Sequence, residues 1–237
     1  MALRAKTNVM GCKGPSPLPG PGQSPGLPPF LINEAASPRA VLLLAHGAGA
    51  AMDSDFMNAI AAGIAARGVN VARFEFPYMH RRRIEGGKRP PDRMPVLLTA
   101  FGEAATAARA RWPGLALLVG GKSMGGRAAT MAAAEIGPMG VVCLGYPFHP
   151  AGKAATPERL APLADPPCPV LVVQGTRDAL GSADDIAGYV LDNAVSVTWI
   201  ADGDHSLKPR KASGLTFEAA LGQAAGAVAA FVAGISP

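Results

Sequence analysis

Short apolar runs alternate with helical segments from residue 40 onward, and this alternation limits the folds open to the chain. Each run is five to seven residues long, and four of the six are rich in Val, Leu and Ala, which is typical of strands buried on both faces. Strands that alternate with helices form parallel sheets. We therefore predict an α/β protein with a doubly wound, mostly parallel sheet of about six strands flanked by helices. The predicted strands are 40–45, 70–76, 115–119, 141–145, 170–174 and 196–200; the predicted helices are 55–67, 96–111, a segment ending near 136, 184–192 and 215–234.

The length of 237 residues suits one domain with a large core, and 49% of the residues are hydrophobic against 16% charged. Residues 11–29 contain seven Pro and five Gly, a composition that does not form a packed element. We therefore expect residues 1–29 to be a flexible N-terminal tail and residues 30–237 to form the folded domain.

The sequence contains no run of about 18 uncharged apolar residues, so we expect no membrane span. No apolar segment follows the basic N-terminal residues, so no secretory signal is predicted. The three cysteines, Cys12, Cys143 and Cys168, are too few for a disulfide framework. These features together favour a cytoplasmic protein.

Gly121-Lys122-Ser123-Met124-Gly125 matches the pattern G-x-S-x-G. An apolar strand leads into it and an Ala-rich helix follows, which is the setting in which this pattern presents a nucleophilic serine. A glycine-rich turn with Ser123 as a helix cap is the structural alternative. A phosphate-binding loop is excluded because Ala116 stands where that motif requires glycine.

A serine nucleophile needs a general base and an acid that orients the base. His205 follows the last predicted strand and Asp178 follows the strand before it, so both lie at the carboxyl edge of the sheet with Ser123. We predict a catalytic triad of Ser123, Asp178 and His205, with a turn role as the alternative for Asp178. Asp202 and Asp204 are rival acids, but they are too close to His205 in sequence for the usual geometry.

The loop His46-Gly47-Ala48-Gly49 follows the first predicted strand and reaches the same edge. The backbone N–H groups of Ala48 and Met124 are the predicted oxyanion hole, while His46 is expected to have a structural role. The four histidines have no metal-ligand spacing, so we expect neither a metal nor a cofactor.

These residues together resemble the α/β-hydrolase superfamily, and specifically its dienelactone-hydrolase-like branch. The chain is also similar to a group of small hydrolase-like proteins that includes a testis-expressed protein and a subunit of the non-specific-lethal chromatin complex. The resemblance covers about residues 40–235 and implies the fold and the triad positions, but no particular substrate. It is carried by the segments HGAGA, FEFPYM, GGKRPPDR, GGKSMGGR, GYPFHP, QGTRD and DHSLKPRK.

Only residues 146–168 separate two of the predicted strands, which leaves no room for a lid domain and predicts an open site. The positive charge is concentrated in three segments. Residues 80–93 and the segment Lys208–Lys211 are expected near the site, whereas Arg4, Lys6 and Lys13 belong to the predicted tail. Arginine and lysine bind carboxylates, so we expect a small-molecule ester or thioester substrate with an anionic group; solvated loop charges are the alternative. The predicted binding residues are Arg81, Arg82, Lys88, Arg89, Lys122, Lys208 and Arg210.

Two other classes of function are alternatives to the hydrolase. One is an inactive interaction or scaffold protein on the same fold, for which the tail is a candidate docking segment, with a disordered end as the other interpretation. Nucleic-acid binding is disfavoured because aromatic residues make up only 5% of the chain and are not interleaved with the basic ones.

Overall fold

The computed structural model describes residues 29–235. The predicted tail lies outside this range, apart from Pro29. The described residues form one seven-stranded sheet in the order β1-β3-β2-β4-β5-β6-β7. The strands are β1 (Leu31–Asn33), β2 (Ala40–Ala45), β3 (Val69–Phe74), β4 (Ala116–Lys122), β5 (Gly140–Leu144), β6 (Val170–Gly175) and β7 (Val195–Ile200).

Seven α-helices and one 3-10 turn connect or follow these strands in the described range. Their bounds are α1 (Asp55–Ala65), α2 (Pro77–Glu85), α3 (Met94–Arg111), α4 (Met124–Ile136), α5 (Pro157–Ala164), α6 (Ala183–Ile186), the 3-10 turn Lys211–Ser213, and α7 (Phe217–Ile235).

The sheet separates two apolar cores. Alternate residues of β2 face opposite sides, so that Leu42 packs with α1 and α7, whereas Leu43 packs with α3 and α4. All residues of β2, β3, β5 and β6 are buried. The uninterrupted apolar runs of β2 and β5 predicted this burial, whereas β3 also buries Asn70 and Arg73.

The order of the strands determines where a ligand can bind. From β2 the chain crosses to β3 on one side, and from β4 it crosses to β5 on the other, while β2 and β4 are parallel neighbours. Such a reversal opens a crevice at the carboxyl ends of the two strands. The loop after β2 and the turn after β4 therefore meet at this crevice.

The structure corrects several predicted elements. The strand β1 was missed; it has three residues, too few for a periodic pattern, and pairs antiparallel with β3. The predicted loop 80–93 is helical up to Glu85, because Pro77 starts α2. The predicted helix 184–192 is reduced to one turn, α6, with a capping box between Ser182 and Asp185.

The segment between β5 and β6 contains one short helix, α5, which had not been predicted. Eight residues do not make a lid domain, so the predicted open architecture is confirmed in this segment.

Among the described residues, α7 is the helix long and apolar enough to cross a membrane, with a mean hydropathy of 1.4. It packs on α1 and on strands β5, β6 and β7, and Ala224, Ala225 and Val228 are fully buried there. In this fold it covers the sheet as a core helix.

Candidate active site

Ser123 stands at a sharp turn between β4 and α4, with φ 53° and ψ −114°. This conformation is strained for a residue with a side chain, and it is typical of a nucleophile held at the top of a sheet. The turn is tight on both sides. A Cβ on Gly121 would lie 2.4 Å from the Gly125 carbonyl carbon, and one on Gly125 would lie 2.6 Å from the His46 carbonyl oxygen. Only glycine fits at these two positions.

The structure brings the three predicted triad residues together. His205 Nε2 is 2.8 Å from Ser123 Oγ, and His205 Nδ1 is 2.8 Å from Asp178 Oδ2. With Asp178 accepting from the Nδ1–H group, Nε2 is free to accept the serine proton. The side chain of Asp178 is fully buried, whereas that of His205 is 29% exposed. The arrangement therefore has an inner orienting acid and an outer base that substrate can reach.

Gln174, at the end of β6, holds the Asp178 carboxylate and was missed as a site residue. Its Nε2 atom donates to Asp178 Oδ2 at 2.8 Å, while the Leu180 N–H group donates to Oδ1 at 2.8 Å. The sequence signal that could have identified it is a glutamine at the end of an apolar strand, where burial requires the amide to find partners. In the structure Gln174 is fully buried.

The carboxylates of the two rival acids, Asp202 and Asp204, bind groups other than the His205 ring. Asp202 forms ion pairs with Arg177 and Arg210, and the hydrogen bond from Arg210 is the main reason that the pKa of Asp202 falls to about 2. Asp204 Oδ1 accepts from the N–H groups of Ser206 and Lys208 at 2.8 and 3.0 Å. Both carboxylates therefore shape the loop that carries His205.

The loop after β2 is held by buried polar contacts. His46 is fully buried; its Nδ1 donates to the Gly47 carbonyl at 2.7 Å, and its Nε2 accepts from the Phe76 N–H group at 3.1 Å. Burial lowers the pKa of His46, which suits a neutral ring with these two partners. The Tyr78 hydroxyl donates to the carbonyls of Gly47 and Ala48, at 3.2 and 3.0 Å. His46 thus has the structural contacts expected of it.

The predicted oxyanion donors lie on either side of the serine. Ala48 and Ser123 line one cavity, and Met124 and Ser123 line another. Within residues 29–235, neither the Ala48 nor the Met124 N–H group donates to a protein acceptor. Both amides are therefore free to bind an oxyanion.

Lys122 adjoins the serine but does not reach into solvent. Its Nζ atom donates to the His205 carbonyl at 2.7 Å and lies 5.8 Å from the centre of the Phe56 ring. Burial lowers the pKa of Lys122 to about 8. The ammonium group therefore anchors the histidine loop.

The other predicted binding residues do not assemble beside Ser123. Arg81 pairs with Asp92, Arg89 with Glu85, and Arg210 with Asp202. Arg82 lines a separate cavity, together with Asp53 and Met79, and Lys88 and Lys208 are exposed. Of the seven, Lys122 alone lines either cavity that contains Ser123. The positions of these residues in the sequence predicted that they lie near the sheet edge. The acidic side chains that pair with Arg81, Arg89 and Arg210 could be identified only in the folded structure.

Two cavities of different character flank Ser123. The larger, about 370 Å³, has a largely apolar wall and contains His205, with Ala50, Phe56 and Met57 in its lining. The smaller, about 210 Å³, has Arg127, Arg159 and His149 in its lining. A substrate bound across the serine would reach into both.

Residues 38–233 match the family model described as an alpha/beta hydrolase domain. Among curated proteins, none matches the chain in sequence. A serine hydrolase without a lid from Xanthomonas campestris is a similar solved structure, with a TM-score of 0.62, 18% identity, and coverage of 84% of this chain and 88% of the other.

The dienelactone hydrolase of Anabaena variabilis gives a TM-score of 0.67 at 19% identity, covering 86% of this chain and 89% of the other. The esterase domain of a Rhodothermus marinus protein gives 0.62 at 16% identity, covering 86% and 91%. These similarities identify the fold as a lidless α/β-hydrolase fold. With the family model matched over most of its length, the chain belongs to the α/β-hydrolase family.

Proposed function

We propose that this protein is a serine hydrolase that cleaves small esters or thioesters through an acyl-enzyme on Ser123. One observation carries the proposal: the continuous hydrogen-bonded series from Ser123 through His205 to the buried Asp178. The free amides of Ala48 and Met124 and the strained backbone of Ser123 support it. The similar structures described as a dienelactone hydrolase and an esterase domain favour this reaction class, within the dienelactone-hydrolase-like branch.

The proposed reaction has two halves. His205 Nε2 takes the hydroxyl proton as Ser123 Oγ bonds to the carbonyl carbon, and the carbonyl electron pair moves onto the oxygen, which the Ala48 and Met124 amides bind. When the pair returns, the bond to the alcohol or thiol breaks, and the leaving group takes the proton from His205. Water then attacks the acyl-enzyme by the same route, releasing the carboxylic acid and restoring Ser123.

Labelling with a fluorophosphonate probe tests the proposal. Wild type should be labelled, and Ser123→Ala and His205→Ala should not, because the probe reacts only with an activated serine. Hydrolysis of a 4-nitrophenyl ester should fall by at least about 10⁴-fold in both variants. Ser37→Ala is the matched control, since Ser37 is exposed before β2, at the opposite edge of the sheet.

Circular dichroism and thermal melting should establish that each variant is folded. A folded wild type that neither reacts with the probe nor hydrolyses the ester would contradict the proposal and favour the scaffold alternative. Labelling that persists in Ser123→Ala would contradict the choice of nucleophile.

A further inference from the structure

The cavity of about 210 Å³ beside Ser123 contains a pair of arginines that the reaction itself does not use. Arg127 lies on the first turns of α4, four residues after Ser123, and Arg159 lies on α5 in the segment between β5 and β6. Neither belongs to the basic segments that the sequence singled out.

In the described part of the chain, neither of these two guanidinium groups forms an ion pair. Within residues 29–235, no carboxylate oxygen lies within 4.0 Å of either one, in contrast to Arg83, which pairs with both Asp53 and Glu75. The Nε atom of Arg127 is buried and has no acceptor. Arg159 donates from Nη1 to the Pro147 carbonyl at 2.9 Å, and its own carbonyl accepts from the Tyr146 hydroxyl at 2.7 Å, so its backbone and side chain are both held in place.

The charges around the cavity leave it electropositive. Burial lowers the pKa of Arg159, and the positive charge of Arg127 lowers it further, so the two groups repel each other. Asp185 accepts from Ser182 and lies 3.3 Å from His149 Nε2. The exposed Glu158 is held mainly by the Thr156 side chain and interacts with Arg127 only through charge, beyond ion-pair distance. Two unpaired guanidinium groups at one cavity form a site for an anion, which would relieve their repulsion.

The position of His205 indicates which half of the substrate carries this anion. His205 must protonate the leaving group, and it lines the apolar cavity, not the arginine cavity. The leaving group therefore belongs in the apolar cavity with Phe56 and Met57, and the acyl group belongs in the arginine cavity.

We propose that Arg127 and Arg159 bind a carboxylate at the far end of the acyl group, so that the preferred substrate is a monoester or monothioester of a dicarboxylic acid. This inference rests on the proposed hydrolase function. In this proposal Arg127 and Arg159 select anionic substrates. The basic residues of the loops do not, because they are paired with acids or lie outside the two cavities.

The experiment compares three esters in wild type and in Arg127→Gln, Arg159→Gln and the double variant. The first ester is the 4-nitrophenyl monoester of hexanedioic acid. The second, called the monoamide, is the same 4-nitrophenyl ester with its free carboxylate replaced by a neutral carboxamide. The third, 4-acetoxybenzoate, carries its carboxylate on the leaving group. Arg67→Gln is the matched control, because Arg67 is exposed and precedes β3, at the amino edge of the sheet.

Wild type should prefer the anionic hexanedioate ester to its monoamide in kcat/KM by at least about 10-fold. Each single arginine variant should lose about 10- to 100-fold on that ester, the expected effect of one charged hydrogen bond. The monoamide should change by less than about threefold, and 4-acetoxybenzoate should be equally insensitive. Retained monoamide turnover also demonstrates that the variant is folded.

Equal kcat/KM values for the hexanedioate ester and its monoamide in wild type would overturn the inference while leaving the hydrolase proposal intact. Equal losses of kcat/KM on the hexanedioate ester and on its monoamide in Arg127→Gln would also overturn it, since they would indicate a structural role. Absence of turnover on all three esters, with Ser123 unlabelled by fluorophosphonate, would instead remove the proposed function itself.

Discussion

The side-chain amide of Gln174 donates to the same oxygen of Asp178 that accepts from His205, with both distances at 2.8 Å. Gln174 is itself held by Tyr146, whose N–H group donates to Oε1 at 2.8 Å. A rigid, buried strand therefore determines the orientation of the acid, and through it the orientation of the histidine ring. Gln174 is a positioning residue in this arrangement.

Replacement of Gln174 by Leu should lower kcat and the rate of fluorophosphonate labelling by about 10- to 100-fold, with KM little changed. Without the amide, Asp178 loses one of its hydrogen bonds and is no longer held in line with His205. Steady-state kinetics and labelling rates measure the effect. Gln223→Leu is the control, because Gln223 is exposed on α7 and its side chain donates to the Trp199 carbonyl, away from the site. An unchanged labelling rate in folded Gln174→Leu would contradict this role.

Tyr78 should support catalysis through the loop that carries Ala48. Its buried hydroxyl donates to the Gly47 and Ala48 carbonyls, so Tyr78→Phe leaves that loop less firmly held. We expect kcat to fall by about 10-fold and the free energy of unfolding to fall by about 1 kcal/mol. Tyr189→Phe is the control, since Tyr189 stacks on Phe148 and its ring remains after the change. A loss of stability with full kcat would mean that the hydroxyl does not position the oxyanion loop.

Two glycine substitutions should have opposite effects on stability. A Cβ at position 125 would lie 2.6 Å from the His46 carbonyl oxygen and 2.8 Å from that of Ala45, so Gly125→Ala should cost about 1–3 kcal/mol and disturb the turn at Ser123. A Cβ on Gly222, within α7, meets nothing within 4 Å, so Gly222→Ala should stabilise the fold by up to about 1 kcal/mol. Urea unfolding measures both. Equal effects would contradict the steric account of the turn.

Lys122 should make stability depend on alkaline pH. Its pKa falls from 10.5 to about 8 on burial, so between these values the unfolded chain binds a proton that the folded chain does not. Wild-type stability should therefore rise with pH across this window, as the cost of burying the charge disappears. That cost is about 3 kcal/mol below pH 8.

The matched comparison is with Lys122→Met, which has no such charge to bury. The difference in unfolding free energy between the variant and wild type should shift by up to about 3 kcal/mol in favour of wild type from pH 7.5 to 10.5. Urea unfolding at several pH values measures this difference, in which the titration of other groups cancels. A constant difference would mean that the ammonium group keeps its ordinary pKa in the folded protein.

Local patterns were sufficient to predict most elements of the fold. The strand β2 was predicted with its observed bounds, because six consecutive apolar residues can be satisfied only by burial on both faces. The short strand β1 and helix α2 were missed because they depend on partners elsewhere in the chain and not on a local apolar pattern. Leu31–Asn33 depends on β3 for its hydrogen bonds, and α2 is a polar helix whose Arg83 meets Glu75 and Asp53 only after folding.

The sequence by itself determined the family, the parallel sheet and the chain order of Ser123, Asp178 and His205, because these depend on residues close in sequence and on the rule that parallel strands share one carboxyl edge. Only the tertiary structure decided that Gln174 orients Asp178, that Lys122 is buried under the histidine loop, and that Arg127 and Arg159 share a cavity without an acid. Charge pairing and burial depend on the distances between segments far apart in the chain, and packing alone sets those distances.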